Sequence, residues 1–120
     1  MELTTICKLF AAFTGMTAEE TLEQLDLIRL AKEELEASLK PGCDPEEHRQ
    51  ALSYAAAALA FYRYSLLAAN TGGVRSLRSG EMTVTSDSDD AVRVAREIRD
   101  EFLALAAPCL RDDRFLFRAV

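Results

Sequence analysis

The stretch Ala51–Ala69, ALSYAAAALAFYRYSLLAA, decides the fold because it is apolar on almost every side of a helix. A helix that is apolar all round is buried all round, either in a protein interior or in a membrane. Insertion into a membrane would be poor, since Arg63 lies inside the stretch and alanine is only weakly hydrophobic. We therefore predict a buried central helix ending at about Ala69, with neighbours from the same chain or from a second copy.

Two helices are predicted upstream of this stretch. Residues 3–13 carry apolar side chains at helical spacing, and Gly15 ends that segment. Thr17 and Glu20 form a capping box, in which each side chain accepts a hydrogen bond from the other residue's amide. The helix that they open runs to about Leu39. Its apolar stripe consists of Leu22, Leu25, Ile28, Ala31, Leu35 and Leu39.

Capping signals also mark the starts of the last two helices. Asp44-Pro45-Glu46-Glu47 has the pattern of a second capping box, with proline at the first helical position, and predicts the start of the central helix. Ser86 to Asp90 supplies several N-cap residues, so the last helix is predicted from about Asp89 to Ala106, with Pro108 as its limit. Its predicted apolar face consists of Ala91, Val94, Ile98, Phe102 and Leu105.

The segment Asn70–Ser86, NTGGVRSLRSGEMTVTS, interrupts the helices. Gly72 and Gly73 stop the preceding helix, and the alternation in Met82–Thr85 has the period of a strand. We predict an all-α fold of about four helices in a compact bundle, as a single domain over residues 1–120. A short β strand or hairpin, within an extended insertion at about residues 71–86, precedes the last long helix. Because long connections are uncommon in compact domains, this insertion indicates a function.

Charge and cysteine content narrow the function further. The net charge of -6 resides in residues 1–50, and residues 51–120 are balanced. This argues against nucleic-acid binding as the main task and permits head-to-tail contact between copies, although two solvated surfaces with different residue usage are the simpler explanation. The three cysteines, Cys7, Cys43 and Cys109, are far apart and form no CxxC motif. They argue against a disulfide framework and a zinc site, so a reduced cytoplasmic setting is expected.

No residue pattern predicts catalysis. His48 is the only histidine, and no nucleophile or orienting partner is evident, so we interpret it as a surface residue. Cys43 lies just before a helix start, but the neighbouring acidic groups would raise its thiol pKa, while Cys7 and Cys109 are expected in the core. The glycines match no phosphate-binding loop. We therefore predict a protein that is not an enzyme, with no catalytic residue, metal or cofactor.

Two segments are candidate contact surfaces. An exposed strand at residues 74–84 would add to a sheet in another subunit or protein, or a hairpin there would fold onto its own helices. The apolar tail Phe115–Val120 is either docked on the core or kept for a partner. The candidate interaction residues are Val74, Arg75, Leu77, Arg78, Gly80, Met82, Val84, Phe115 and Phe117.

An alanine- and tyrosine-rich helix precedes a glycine pair and a V-x-S-x-x-x-G-x-x-x-V pattern, here Gly72, Gly73, Val74, Ser76, Gly80 and Val84. Over residues 51–84 this resembles the small helical head–tail connector (head-completion or adaptor) proteins of long-tailed bacteriophages and prophages. The resemblance implies a virion assembly protein that forms a homo-oligomeric ring between portal and tail. Its partners would be itself and other phage structural proteins, with no sequence-specific nucleic-acid binding, membrane or cofactor. The alternative is a small cytoplasmic helical module that binds one host protein, such as a regulator or antitoxin-like factor.

Overall fold

A computed structural model describes residues 1–70 and 84–111. Within these ranges the chain is all-α, as predicted, and contains no strand. The elements are α1 (Leu3–Thr14), α2 (Ala18–Leu22), α3 (Leu25–Ala37), α4 (Arg49–Asn70), α5 (Val84–Ala106) and a 3₁₀ turn (Ala107–Cys109).

Helix α4 is the central helix of the bundle and packs against α1, α3 and α5. Its first half is largely buried, including Leu52, Ser53 and the run Ala55–Ala60. The small alanine side chains let three neighbouring helices approach, so the predicted burial is confirmed for this half. It was wrong for Leu66 and Leu67, which are 38% and 55% exposed. Among the described residues, no helix is long and apolar enough to cross a bilayer.

Helix α1 fills the other side of the core. Its Ile6 and Phe10 side chains are fully buried, and Gly15 ends the helix with a left-handed φ of 79°, as predicted. The Phe13 ring joins an aromatic cluster in which it stacks on Phe61 at a centroid distance of 5.6 Å. Full burial of such a ring contributes about 1.5–3 kcal/mol, and these half-buried rings contribute part of that free energy.

Helices α4 and α5 form an antiparallel pair. The Tyr54 ring stacks on Phe102 at 5.0 Å, and the Arg99 guanidinium lies 4.3 Å from the centre of the Tyr62 ring. The N-terminal half of α4 therefore lies beside the C-terminal half of α5. We call the end formed by residues 38–48 and 107–111 the clasp end. We call the opposite end, formed by residues 65–70 and 84–94, the open end.

The predicted helix from Thr17 to Leu39 is two helices. The capping box is confirmed, since the Thr17 hydroxyl accepts from the Glu20 amide at 3.1 Å and the Glu20 carboxylate accepts from the Thr17 amide at 2.9 Å. The helix then breaks after Leu22, and α3 begins at Leu25. The break rotates the two pieces relative to each other, so that Leu22 is 62% exposed and its place in the predicted stripe was wrong.

The predicted start of α4 at Asp44 was also wrong. The Asp44 carboxylate accepts a hydrogen bond from the Glu46 amide at 3.0 Å, two residues along the chain, and the Glu47 amide donates to the Asp44 carbonyl at 3.1 Å. Such a local Asx-type bond stabilises a turn in competition with a helix. Helix α4 consequently begins at Arg49.

The last helix starts earlier than predicted. Val84 is the first residue of α5, so the predicted strand is wrong for Val84 and Thr85, and the rest of it lies outside the described residues. Acidic residues in the first turns favour the helix, because they complement the positive end of its dipole. The buried face is also shifted from the predicted one: Val94 and Leu105 are exposed, while Ala95, Leu103 and Ala106 are buried.

Candidate functional site

The structure describes only one of the predicted interaction residues, Val84, as the start of α5. The other eight lie outside the described residues and stay predictions: Val74, Arg75, Leu77, Arg78, Gly80, Met82, Phe115 and Phe117. One of the two segments follows α4 after Asn70, at the open end, and the other follows Arg111, at the clasp end.

A disulfide bond joins Cys43 to Cys109 at the clasp end, with an S–S distance of 2.16 Å and a Cα–Cα distance of 5.5 Å. This contradicts the expectation that the cysteines stay unpaired, and it removes the cysteine argument for a reduced compartment. The pair is separated by 66 residues in sequence. Its members come together only because the loop after α3 and the turn after α5 meet, which no local pattern indicates.

Backbone hydrogen bonds hold these two segments together independently of the disulfide. Leu39 and Leu110 form an antiparallel bridge. The Lys40 amide donates to the Cys109 carbonyl at 2.9 Å, and the Arg111 amide donates to the Ser38 carbonyl at 2.9 Å. Each bond satisfies a main-chain group that would otherwise be unpaired. The Cys43 and Cys109 backbones are thus held opposite each other by non-covalent contacts.

Local sequence sets the position of each cysteine. Gly42 has a φ of 90°, a conformation that favours glycine, and the Cys43 amide closes the turn by donating to the Lys40 carbonyl at 3.1 Å. On the other side, Pro108 lies in the 3₁₀ turn that ends at Cys109. The predicted role of Pro108 as the limit of the last helix is confirmed, because α5 ends at Ala106.

His48 lies beside the disulfide. One imidazole nitrogen of His48 and the sulfur atoms of Cys43 and Cys109 all lie within 4.8 Å of one another. Cys109 is buried, Cys43 is half-buried and His48 is exposed, so the cluster spans from the core to the surface. The prediction that His48 is a surface residue is confirmed. Its proximity to two cysteines was missed, because only the fold brings the three residues together.

The third cysteine has a different environment. Cys7 is a free thiol that packs against the core from α1. Burial raises the pKa of the Cys7 thiol, and the positive charge of Arg29 lowers it by a smaller amount. A thiol held in its protonated form is a poor nucleophile, so the geometry gives Cys7 no chemical role.

The open end carries apolar side chains on its surface. Leu66 and Leu67 are 38% and 55% exposed near the C-terminus of α4, and Val94 on α5 is 40% exposed. Contacts of α4 with α1 and α3 extend along the helix to this level: Arg63 is paired with Glu34, and Tyr64 packs edge-on against Phe10. Leu66 and Leu67 follow in sequence and expose apolar side chains at the end of α4 that precedes residue 71.

Comparison with known proteins finds no matching family model, no similar curated protein and no similar solved structure.

Proposed function

We propose that this chain is a structural virion assembly protein of a phage or prophage, of the head–tail connector type, and that it acts as a homo-oligomer. The proposal rests on the resemblance of residues 51–84 to such proteins. One observation in the fold supports it: Leu66 and Leu67, which lie within the resembling stretch shortly before the glycine pair, are exposed.

A second copy of the chain is the favoured occupant of the open end. Val94 on α5 is a further exposed apolar residue, at 40%. Around Val94, the Arg93 guanidinium pairs with Asp90 and Glu97 of the same helix at 3.5 and 3.4 Å. These exposed ion pairs place charged side chains beside an exposed apolar one, a combination that is common at the rim of a protein–protein interface.

The negative charge of the chain suits a ring through which DNA passes without being bound tightly. The net charge is -6, and in the α3–α4 region the acidic groups outnumber the basic ones. A channel wall of the same sign as the phosphates repels them and lets the duplex move. Sequence-specific binding would need clustered Lys and Arg instead.

The test is light scattering after size exclusion over a wide concentration range. Wild type is compared with Val74→Asp and Met82→Asp, which place a charge in the resembling segment. The matched control is Leu30→Asp, which charges a 50% exposed leucine on α3. We expect a discrete oligomer that the two segment variants lose and the control keeps, because a buried unpaired charge opposes association.

A connector subunit can also assemble only on its ring-shaped partner. The same series is therefore repeated with the portal protein of the same phage. A chain that stays monomeric at every concentration, alone and with the portal, would contradict the proposal. Such a result would favour the small helical module that binds a host protein.

A further inference from the structure

We propose that Cys43, His48 and Cys109 form a binding site for a divalent cation of the zinc class, which the reduced protein holds in place of the disulfide. The two sulfur atoms and one imidazole nitrogen already lie within 4.8 Å of one another. Thiolate sulfur and neutral imidazole are the ligands that such borderline-soft cations prefer.

The spacing of the cluster suits a tetrahedral ion. With Zn–S distances of about 2.3 Å and Zn–N distances of about 2.0–2.1 Å, neighbouring ligand atoms lie roughly 3.5–3.8 Å apart. The span of 4.8 Å that encloses the three atoms includes this range. Rotation of the side chains, once the two sulfurs are no longer bonded, is enough to complete the ligand set.

The backbone of the site does not depend on the disulfide. The Leu39–Leu110 bridge and the bond from the Lys40 amide to the Cys109 carbonyl lie directly beside the cysteines. The Arg111 guanidinium adds a bond to the Ala37 carbonyl at 2.8 Å. These contacts keep the reduced cysteines opposite each other, so the ligands are positioned before an ion arrives.

The proposed site is buried on the side of Cys109 and open to solvent on the side of His48. Cys109 is buried, whereas His48 and the adjacent Asp44 are exposed. The cation therefore approaches from the His48 side, where Asp44, Glu46 and Glu47 attract positive charge. Three protein ligands leave the fourth tetrahedral position to water.

Reduction of the disulfide precedes binding of the cation. A cellular dithiol reduces the disulfide with two electrons and two protons, yielding two protein thiols, and is itself oxidised to a disulfide. The cation then replaces the two thiol protons, which pass to solvent, and neutral His48 supplies a nitrogen lone pair. Because a sulfur in an S–S bond is no longer a thiolate, the disulfide and the cation exclude each other.

Both states tie the loop after α3 to the turn after α5. The clasp end therefore stays closed in an oxidising and in a reducing compartment, by a covalent bond in one and by a metal in the other. The cation also contributes folding free energy, because the unfolded chain does not present the preformed ligand set.

The test uses Co²⁺ as a spectroscopic probe of the full chain, reduced with a phosphine and then freed of reductant without oxygen. We expect a single cobalt ion per chain, with thiolate-to-cobalt charge transfer and the intense visible bands of tetrahedral cobalt. Excess Zn²⁺ is expected to displace it. The oxidised protein is expected to give neither signal.

Matched variants locate the ligands. Cys7→Ser removes the free thiol and is expected to bind cobalt like wild type. His48→Ala changes an exposed side chain, so the fold is kept, and is expected to weaken binding by at least tenfold, since even partners outside the ligand set are worth about 10–100-fold. Helical circular dichroism is recorded for each sample.

Three results would each overturn the site. The first is a reduced wild type that gives no tetrahedral cobalt spectrum, whether or not its helical signal persists. The second is a His48→Ala variant that binds as tightly as wild type, because the imidazole would then be no ligand. The third is loss of binding in Cys7→Ser, which would place the ion elsewhere.

Discussion

The two ends of helix α4 differ in what surrounds the same kind of residue. Leu52, near the clasp end, is fully buried, whereas Leu67, near the open end, is 55% exposed. Both are leucines on one helix of a continuous apolar stretch. The apolar side chains of α4 therefore fill a core at one end of the helix and lie on the surface at the other.

The neighbouring helices explain this difference. Around Leu52 and the alanines that follow it, α1, α3 and α5 together enclose α4. The contacts from α1 and α3 reach Tyr64 and Arg63. Near the C-terminus of α4, by contrast, Leu66 and Leu67 lie on a side of the helix that its neighbours leave 38% and 55% exposed.

The largest expected effect comes from truncating the two leucines. Leu52→Ala is expected to lower the free energy of unfolding by about 2–5 kcal/mol, since it leaves a cavity in a closed core. Leu67→Ala is expected to cost about 1 kcal/mol or less, because less than half of that side chain is buried. Urea denaturation measures both. Equal losses would break the comparison between the two ends.

Opening the disulfide is expected to have the next largest effect. Its 66-residue separation restricts the unfolded chain, so reduction in the presence of a chelator is expected to lower the free energy of unfolding by about 2–4 kcal/mol. Thermal denaturation of oxidised and reduced protein measures the difference. The control is the Cys43→Ser, Cys109→Ser double variant, on which reductant should have no effect. An unchanged wild type would show that the clasp end is not closed by this bond.

A smaller effect of opposite sign is expected at Ser53 on α4. Its hydroxyl is buried without a hydrogen-bond partner among the described residues. Because an unsatisfied buried hydroxyl costs free energy, Ser53→Ala is expected to raise the free energy of unfolding by about 1 kcal/mol. Ser53→Val serves as a test of space at the same position and is expected to destabilise the closely packed helix. A destabilised Ser53→Ala would mean that the hydroxyl has a partner.

The smallest effect concerns Cys7, the cysteine outside the clasp. Burial raises its thiol pKa, so the folded protein retains the proton to higher pH than the unfolded chain. Stability is therefore expected to fall only as the pH rises above the thiol pKa of the unfolded chain. Alkylation by iodoacetamide, followed against pH in folded and denatured protein, measures the shift. A folded thiol that reacts at the same pH midpoint as the denatured one would contradict it.

Local sequence patterns predicted the helix limits that are set by residues at the helix ends themselves. Residues 3–13 and the stop at Gly15 were predicted, as were the Thr17–Glu20 capping box and the burial of the first half of α4. In each case the signal lies within a few residues: apolar spacing, a cap or a glycine with positive φ. Such signals do not depend on the rest of the fold.

Features that depend on distant contacts were not predictable. Residues 44–47 have the pattern of a helix start, yet they form a turn, in which the Asp44 carboxylate accepts a hydrogen bond from the Glu46 amide. The stripe through Leu22 assumed an unbroken helix. The Cys43–Cys109 pair and the nearby His48 come together only through the bridge between Leu39 and Leu110, which no sequence motif marks.

The chain is closed at the clasp end by the Cys43–Cys109 disulfide, and we propose that it associates with further copies at the open end. Light scattering of Leu67→Asp and Leu105→Asp tests it most directly, because these leucines are 55% and 60% exposed at opposite ends of the helix pair. If the copies associate through the open end, we expect Leu67→Asp to abolish the oligomer and Leu105→Asp to retain it. An oligomer that survives Leu67→Asp, or one that Leu105→Asp alone disrupts, would contradict association through the open end.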